Sequence, residues 1–288
     1  MEYCRREVTF TSQNPRVYLA CFSDLHVGEG GFARRHFRNW LKRQMEREQC
    51  WFINLGDKIE AIGPKDKRFT IGHIDPRYLE AYNRGAIINM QINDLCEMLE
   101  PVAPRILGLG RGNHEMKLFD NSGFDPHMSI CTRLGVPDIG YSFLMSLILR
   151  REGAHESRIL RIYGHHGWGG GTRTLGGDKT KVAGKLGEYL ADIYLFGHSH
   201  QAWDEPKPRI TVTRTGTVQV LPMILANTGT FKKSLSAGPL PTWGEMMGFP
   251  PQDLGGRVIE ITMNTNHNHK ESPESSATKY PYKLRVVE

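Results

Sequence analysis

Short apolar runs, each closed by a small polar cluster, recur along the first two thirds of the chain. Arg16 to Phe22 is rich in β-formers and ends in Ser23-Asp24-Leu25-His26, which predicts a core strand delivering Asp24 and His26 at its C-terminal end. Between Phe32 and Gln49 the apolar spacing changes to three and four. Phe37, Trp40, Leu41 and Met45 share one face, while Arg34, Arg35, Arg38, Lys42, Arg43 and Arg47 take much of the rest, the pattern of an amphipathic helix. Trp51 to Leu55 reads as a second strand ending at Gly56-Asp57, and Arg105 to Leu109 as a third ending at Gly112-Asn113-His114. Asp75-Pro76 reads as an N-cap followed by a first-turn proline, so a helix is expected from there to about Leu99. A shorter helix is expected from Asp125 to Leu134, stopped near Gly135.

Beyond Gly135 the texture changes to mainly β. Tyr141 to Arg150, Arg158 to Tyr163, Ile193 to Phe196, Ile210 to Arg214, Val218 to Ala226 and Arg257 to Met263 are strand candidates, with one helix at Lys179 to Ala191 among them. An early βαβα alternation followed by strands predicts an α/β fold of mixed sheets rather than one doubly wound sheet. From Asn264 the chain is polar and Ser-rich. One domain over residues 1–265 is therefore expected, with 266–288 as a flexible tail in which His267 and His269 are solvated.

Composition changes this picture little. The chain has 288 residues, 39% hydrophobic and 24% charged, an ordinary globular balance long enough for one large α/β core. Its longest uncharged apolar run, Phe143 to Leu149, is too short to span a bilayer, and the N-terminal residues show no apolar signal core. No membrane association and a cytoplasmic location are expected. Five scattered cysteines without a CxxC pair read as reduced, mostly buried thiols. The net charge of +6 is mild for this length. The basic face of the Phe32 to Arg47 helix reads as a solvated face in preference to a nucleic-acid track.

The polar clusters carry the chemistry. Asp24-x-His26, Gly56-Asp57, Gly112-Asn113-His114-Glu115, His165-His166-Gly167 and Gly197-His198-Ser199-His200 stand in that order after strand candidates. Parallel strands of open α/β sheets place sites at their C-terminal ends. Three oxygen donors (Asp24, Asp57, Asn113) with at least four imidazoles suit a pair of divalent transition metals. Asp24 and His26 are two apart, so on extended backbone they point the same way; His198 and His200 repeat that spacing.

The set resembles the calcineurin-like metallophosphoesterase superfamily, whose pattern is DxH, GDxx, GNH[DE], a lone His commonly followed by Gly, and GHxH. Asn227-Thr-Gly-Thr230 resembles a further element often found downstream. The resemblance implies a four-layer α/β/β/α sandwich of two mixed sheets. It places Asp24, His26, Asp57 and His200 on one metal and Asp57, Asn113, His166 and His198 on the other, with Asp57 bridging. Both His165 and His166 are able to serve in the fourth block; the family pattern favours His166, directly before Gly167. The implied cofactors are two divalent ions, manganese first, with iron, zinc or nickel as alternatives. The implied reaction is hydrolysis of phosphate esters by in-line attack of a metal-bound hydroxide, with His114 assisting the leaving oxygen. Glu60 stands three residues beyond Asp57 and is expected to pair with His114, while Glu115 is given a positional role.

Substrate contacts are expected from Arg173, in the glycine-rich segment Gly167 to Gly177, and from His165. Trp168 is able to stack a base, although packing is its commoner role. The segment Gly56-Asp-Lys-Ile-Glu-Ala-Ile62 lacks the Gly-Asp-x-x-Asp-Arg-Gly pattern of protein Ser/Thr phosphatases, and no signal peptide points to secreted acid phosphatases. The insert around Lys65 to Phe69 resembles that of phage and prophage members. Phosphodiesters are therefore the expected substrate class, with nucleotide or nucleic acid as the partner. The alternatives are a phosphomonoesterase, a non-catalytic interaction module of the same fold, and a structural zinc protein, the last disfavoured because no thiolate joins the set. Oligomeric state is left open by the sequence.

Overall fold

A computed structural model describes the chain except for residues 13–14, 64–65, 67–68, 154–156, 170–173, 175, 213–214, 236–241 and 264–281. Among the described residues the strands are β1 (Glu2–Phe10), β2 (Arg16–Phe22), β3 (Cys50–Asn54), β4 (Ile106–Leu109), β5 (Ser142–Arg151), β6 (Ser157–His165), β7 (Ile193–Phe196), β8 (Ala202–Val212), β9 (Val218–Thr228), β10 (Arg257–Met263) and β11 (Tyr282–Val286). The helices are α1 (Arg34–Met45), α2 (Leu79–Asn83), α3 (Ile87–Leu99), α4 (Asn113–Ser122), α5 (Pro126–Leu134), α6 (Gly177–Ala183), α7 (Lys185–Glu188) and α8 (Trp243–Met246).

Two mixed sheets face each other. One runs β11-β10-β2-β3-β4, with β2, β3 and β4 parallel; the other runs β1-β5-β6-β7-β9-β8, with β6, β7 and β9 parallel. Strand alternation explains the layering. Val17, Leu19 and Cys21 of β2 meet Leu147, Leu160 and Leu195 of the opposite sheet in the central core, while Ala20 and Phe22 turn outward beneath Phe37 and Trp40 of α1. Because β2 is covered on both faces it reads as an unbroken apolar run. On the far side Tyr163, Tyr194 and Phe196 pack against Val182 of α6. The order helices, sheet, sheet, helices is the α/β/β/α sandwich that the family resemblance implies.

Several elements differ from expectation. The helix expected from Pro76 to Leu99 is interrupted: a 3-10 turn at Pro76–Tyr78 and α2 precede Gly85, whose φ of 69° breaks the hydrogen-bond ladder before α3. The helix expected over Lys179 to Ala191 divides into α6 and α7 around Gly184, glycine being a weak helix former. Strand β8 begins at Ala202, eight residues before the expected start, and accommodates Pro206 and Pro208 because it is a sheet edge. The alternating Tyr3, Arg5 and Glu7 hide β1, which pairs with β5 as an edge strand.

The expected tail from 266 to 288 is corrected at its end. Residues 264–281 lie outside the described residues, with His267 and His269 among them, but Tyr282–Val286 is a strand antiparallel to β10. Tyr282, Leu284 and Val286 alternate onto the central core, so three apolar side chains separated by charges form a half-buried edge strand. No helix among the described residues is long and apolar enough to cross a membrane. All five cysteines are free thiols, four of them buried.

Candidate metal centre

The two parallel trios end at the same rim of the sandwich. Asp24 follows β2, Asp57 follows β3 and Asn113 follows β4; His166 follows β6, and His198 and His200 follow β7. Hydrogen bonds tie these segments across the gap between sheets. The His198 N–H donates to Asp24 Oδ2 at 2.8 Å, Ser23 Oγ lies 2.6 Å from Thr228 Oγ1, and Thr230 Oγ1 donates to the Asp24 carbonyl at 2.7 Å. Two glycines permit the approach. A Cβ on Gly112 would lie 2.1 Å from the Asp57 nitrogen, and one on Gly197 would lie 2.7 Å from Ser23 Oγ.

Three groups of ligand atoms result, Asp24 with His26 and His200, Asp57 with His166 and His198, and, between them, His26 with Asp57 and His114, the atoms of each group lying within 4.8 Å of one another. His26 Nε2 is 3.2 Å from His200 Nε2, and His200 Nε2 is 3.3 Å from Asp24 Oδ1. In the second group His166 Nε2 is 3.3 Å from Asp57 Oδ2 and 3.0 Å from Asn113 Oδ1. Asp57 Oδ2 also lies 4.0 Å from His26 Nε2, so this carboxylate stands between the groups.

The backbone is strained at these residues. Asp24, His26, Asp57, His198 and His200 all adopt positive φ, between 48° and 71°, and among the described non-glycine residues only Ala61 joins them. Such conformations cost roughly 1–3 kcal/mol each and persist where the surroundings impose them. The extended backbone expected for the Asp24/His26 and His198/His200 pairs is thereby corrected: the left-handed residues, not a strand pleat, aim each pair at a common point.

The donors fit divalent metal binding. Asp24 Oδ1 is buried without a hydrogen-bond partner, which buried carboxylate oxygens seldom are. Asp57 likewise has Oδ1 fixed by the His114 N–H at 2.9 Å and turns Oδ2 to the imidazoles. The histidines are oriented by their outer nitrogens. His26 Nδ1 is 2.8 Å from Glu60 Oε2 and His166 Nδ1 is 2.7 Å from the Leu55 carbonyl, so in each the lone pair is on Nε2 when the ring is neutral. His198 differs: its Nε2–H donates to the Gly169 carbonyl at 2.5 Å, leaving the lone pair on Nδ1.

Charge reinforces this arrangement. Burial, with Lys232 and His114 nearby, lowers the His26 pKa to about 4, so the ring is neutral at pH 7. Burial opposes ionisation of Asp57, but the His166 and His114 rings outweigh it and hold the carboxyl well below its ordinary range. Burial also opposes protonation of His166, yet Asp57, Asp24 and the Leu55 carbonyl lift its pKa to about 9. A cation among these oxygens would take the place of that proton.

Glu60 lies within reach of both imidazoles, His26 more closely than His114. Its carboxylate orients His26, whereas His114 Nδ1 lies 2.6 Å from the Glu60 backbone carbonyl and 3.7 Å from Oε2. The expected role of His165 is corrected. Its Nδ1 accepts the Gly167 N–H at 2.8 Å and its ring packs on Tyr141 and Trp168, so it does not line the cavity at the metal-ligand groups. Trp168 packs on Phe196 in turn. Arg173 lies outside the described residues.

Sequence reasoning gave Glu115 a positional role without naming its partners, and missed Asp178 and Lys232. Glu115, 1% exposed, accepts N–H bonds from Asp57, Lys58 and Gly112 at 3.2, 2.6 and 3.0 Å and lies 3.3 Å from the fully buried Lys58 ammonium; its positional role is to weld the β3 and β4 loops together. Asp178 Oδ2 accepts from Ser199, Trp203 and Asn227 at 2.9, 2.8 and 2.9 Å, which pins the turn between His198 and His200. Lys232 sits 3.6 Å from Glu29 and 3.9 Å from Glu60. A buried carboxylate in a helix start and a lysine after Thr230 carry no sequence signal of their own. The basic face of α1 is partly consumed: Arg34 pairs with Asp94, and Arg43 with Glu288 at 2.5 Å.

No protein-family model and no curated protein matches this chain. Among solved structures, a metallophosphoesterase from Sphaerobacter thermophilus is 12% identical, with 95% of this chain and 89% of that chain covered at a TM-score of 0.36. A calcineurin-like phosphoesterase from Bacillus subtilis is 11% identical over 95% and 90% of the two chains, TM-score 0.39. A Pseudomonas putida nuclease is 13% identical over 84% and 82%, TM-score 0.33. Two facing mixed sheets, with Asp24, Asp57, Asn113, His166, His198 and His200 at the ends of their parallel strands, are the architecture expected of the calcineurin-like metallophosphoesterase fold.

Proposed function

We propose that this chain is a dinuclear metal-dependent phosphoesterase acting on phosphodiesters. The observation that carries the reading is the clustering of left-handed backbone: five of the seven expected ligands are held at positive φ around two donor groups, with the Asp57 carboxylate of one also 4.0 Å from His26 Nε2 of the other. Two divalent cations there would supply Lewis acidity toward the phosphoryl oxygens and lower the pKa of water; manganese, iron, zinc and nickel all suit the donor set.

The chain's own residues divide the remaining work. Asp24, His26 and His200 would hold one cation and Asn113, His166 and His198 the other, with Asp57 available to both. His114 donates its Nδ1–H to the Glu60 carbonyl, which directs Nε2 toward Asp57 Oδ2, 4.0 Å away. From there a proton on Nε2 can pass to the leaving oxygen or stabilise charge on the phosphoryl group. Glu60 keeps His26 in the ligand tautomer. The nearby Lys232 is already balanced by Glu29 and Glu60, which suits a monoanionic diester better than a dianionic monoester. With Arg34 and Arg43 of α1 paired, a small diester is favoured over a nucleic-acid chain.

The test is hydrolysis of bis-p-nitrophenyl phosphate with added manganese, beside the corresponding monoester. Turnover of the diester, its loss on chelation, and a fall of at least about a thousandfold in Asp57→Asn are expected. Absence of turnover with each of the four metals, or an unaffected Asp57→Asn, would return the chain to the non-catalytic reading.

A further inference from the structure

The donor groups form only part of a larger cavity of about 320 Å³. His26, Asp57, Asn113, His114, His198 and His200 line it, and so do Ile62, Phe69, Ile74, Ile87 and Phe249. The volume lies at the lower end of what small-molecule sites need. We infer that the substrate is a small phosphodiester bearing an aromatic group of one or two rings, which seats against this apolar wall while the phosphate meets the metal ligands. The inference rests on the phosphoesterase reading and specifies its substrate.

The wall is built, not incidental. Ile74 is fixed by an antiparallel bridge to Glu29, and the flanking Gly30 N–H donates to the His73 carbonyl at 2.8 Å, so the segment carrying Ile74 is tied to the loop that follows His26. Ile87 opens α3 and, with Ile74, is packed against the helix-side core. Phe69 stacks on Tyr82 with ring centroids 5.6 Å apart, and Phe249 is half-buried. Aliphatic and aromatic side chains of this kind offer nothing to water or to a sugar-phosphate backbone. They gain on covering a flat apolar group, to which Phe69 and Phe249 offer ring contacts. At the other end Lys232 and Lys233 share the lining with Glu29 and Glu60, so the charge there is largely balanced within the cavity.

Calorimetry with inert, monoanionic phosphinates separates this inference from the activity. Benzyl(methyl)phosphinate and dimethylphosphinate carry the same charge and no ester bond, so both remain intact on the manganese-loaded protein. The benzyl compound is expected to bind at least about tenfold more tightly, and that ratio is expected to fall below about threefold in Phe249→Ala and in Ile87→Ala. Equal binding of the two compounds by the wild-type chain would overturn the inference and leave the phosphoesterase reading intact, and it requires no variant to fold. A tenfold preference unchanged in both variants, each checked for folding by circular dichroism, would also overturn it, since the ring would then lie elsewhere. If neither compound binds and bis-p-nitrophenyl phosphate is not hydrolysed, both readings fail together.

Discussion

Replacing Glu115 by Gln should unfold the rim that holds the metal ligands more readily than any change among the ligands themselves. The carboxylate is 1% exposed and accepts backbone N–H bonds from Asp57, Lys58 and Gly112, with a longer approach from Ile59 at 3.4 Å. Its charge partner, Lys58, is itself fully buried and also donates to the Gly110 carbonyl at 2.6 Å. Glutamine offers one acceptor and turns an N–H₂ toward N–H groups, and it leaves the ammonium without its counter-charge. Loss of one member of a buried pair costs about 3–5 kcal/mol, and charged hydrogen bonds contribute about 1.5–3 kcal/mol each, so a cost of about 3–5 kcal/mol is expected. Lys58→Met should cost less, because Glu115 keeps its backbone donors. The double variant Glu115→Gln/Lys58→Met should be at least about 1 kcal/mol more stable than the sum of the singles, since it removes the stranded charge. Urea unfolding followed by circular dichroism measures all three. A Glu115→Gln protein within about 1 kcal/mol of wild type, or additive singles, would refute the reasoning.

Other expectations concern the site and its supports. Glu60→Gln should weaken metal binding about 10- to 100-fold, the usual effect of losing a partner that orients a ligand histidine, as read by titration with a metal indicator. His114→Gln should lower kcat by about 10²–10⁴ with the metal content unchanged, by elemental analysis beside steady-state kinetics. Asp178→Ala removes the shared acceptor of Ser199, Trp203 and Asn227; a loss of about 2–4 kcal/mol is expected, together with weaker metal binding. Finally, His127 is fully buried, and burial, aided by Lys58 and opposed by Asp138, lowers its pKa. The unfolded chain takes up this proton near pH 6.5 while the folded chain resists it. The contribution is therefore complete above pH 6.5 and is lost as pH falls below it, with a slope of up to about 1.4 kcal/mol per pH unit. His127→Gln should flatten the urea midpoint between pH 6.5 and 5.5 relative to wild type.

Much of the site could be read from residue order alone. Strand ends are marked by a change from apolar to polar composition, and each ligand block begins within a few residues of such an end, so Asp24, Asp57, Asn113 and His198 could be placed without coordinates. Mixed sheets followed from the early βαβα alternation and the later strands, whereas the four-layer sandwich was implied by the family resemblance. Local pattern does not carry partners, however. Whether His165 or His166 faces the donors depends on which side of β6 is covered, and His165 is taken up by Gly167, Tyr141 and Trp168. The destination of Glu60 likewise depends on the folded loop, which sets its carboxylate 2.8 Å from His26 Nδ1 and 3.7 Å from His114 Nδ1.

The sequence by itself determined which residue types meet a cation and in what order the strands deliver them, because periodicity and composition are local properties. Tertiary structure decided the rest: the strained backbone at Asp24, His26, Asp57, His198 and His200, the buried carboxylates of Glu115 and Asp178 that enforce it, and the apolar wall from Phe69 to Phe249. Each of these depends on contacts between segments tens to hundreds of residues apart, as when His198 meets Asp24 across 174 positions. Strain at a ligand is tolerable only when such long-range contacts hold it, and those exist only once the two sheets have closed on each other.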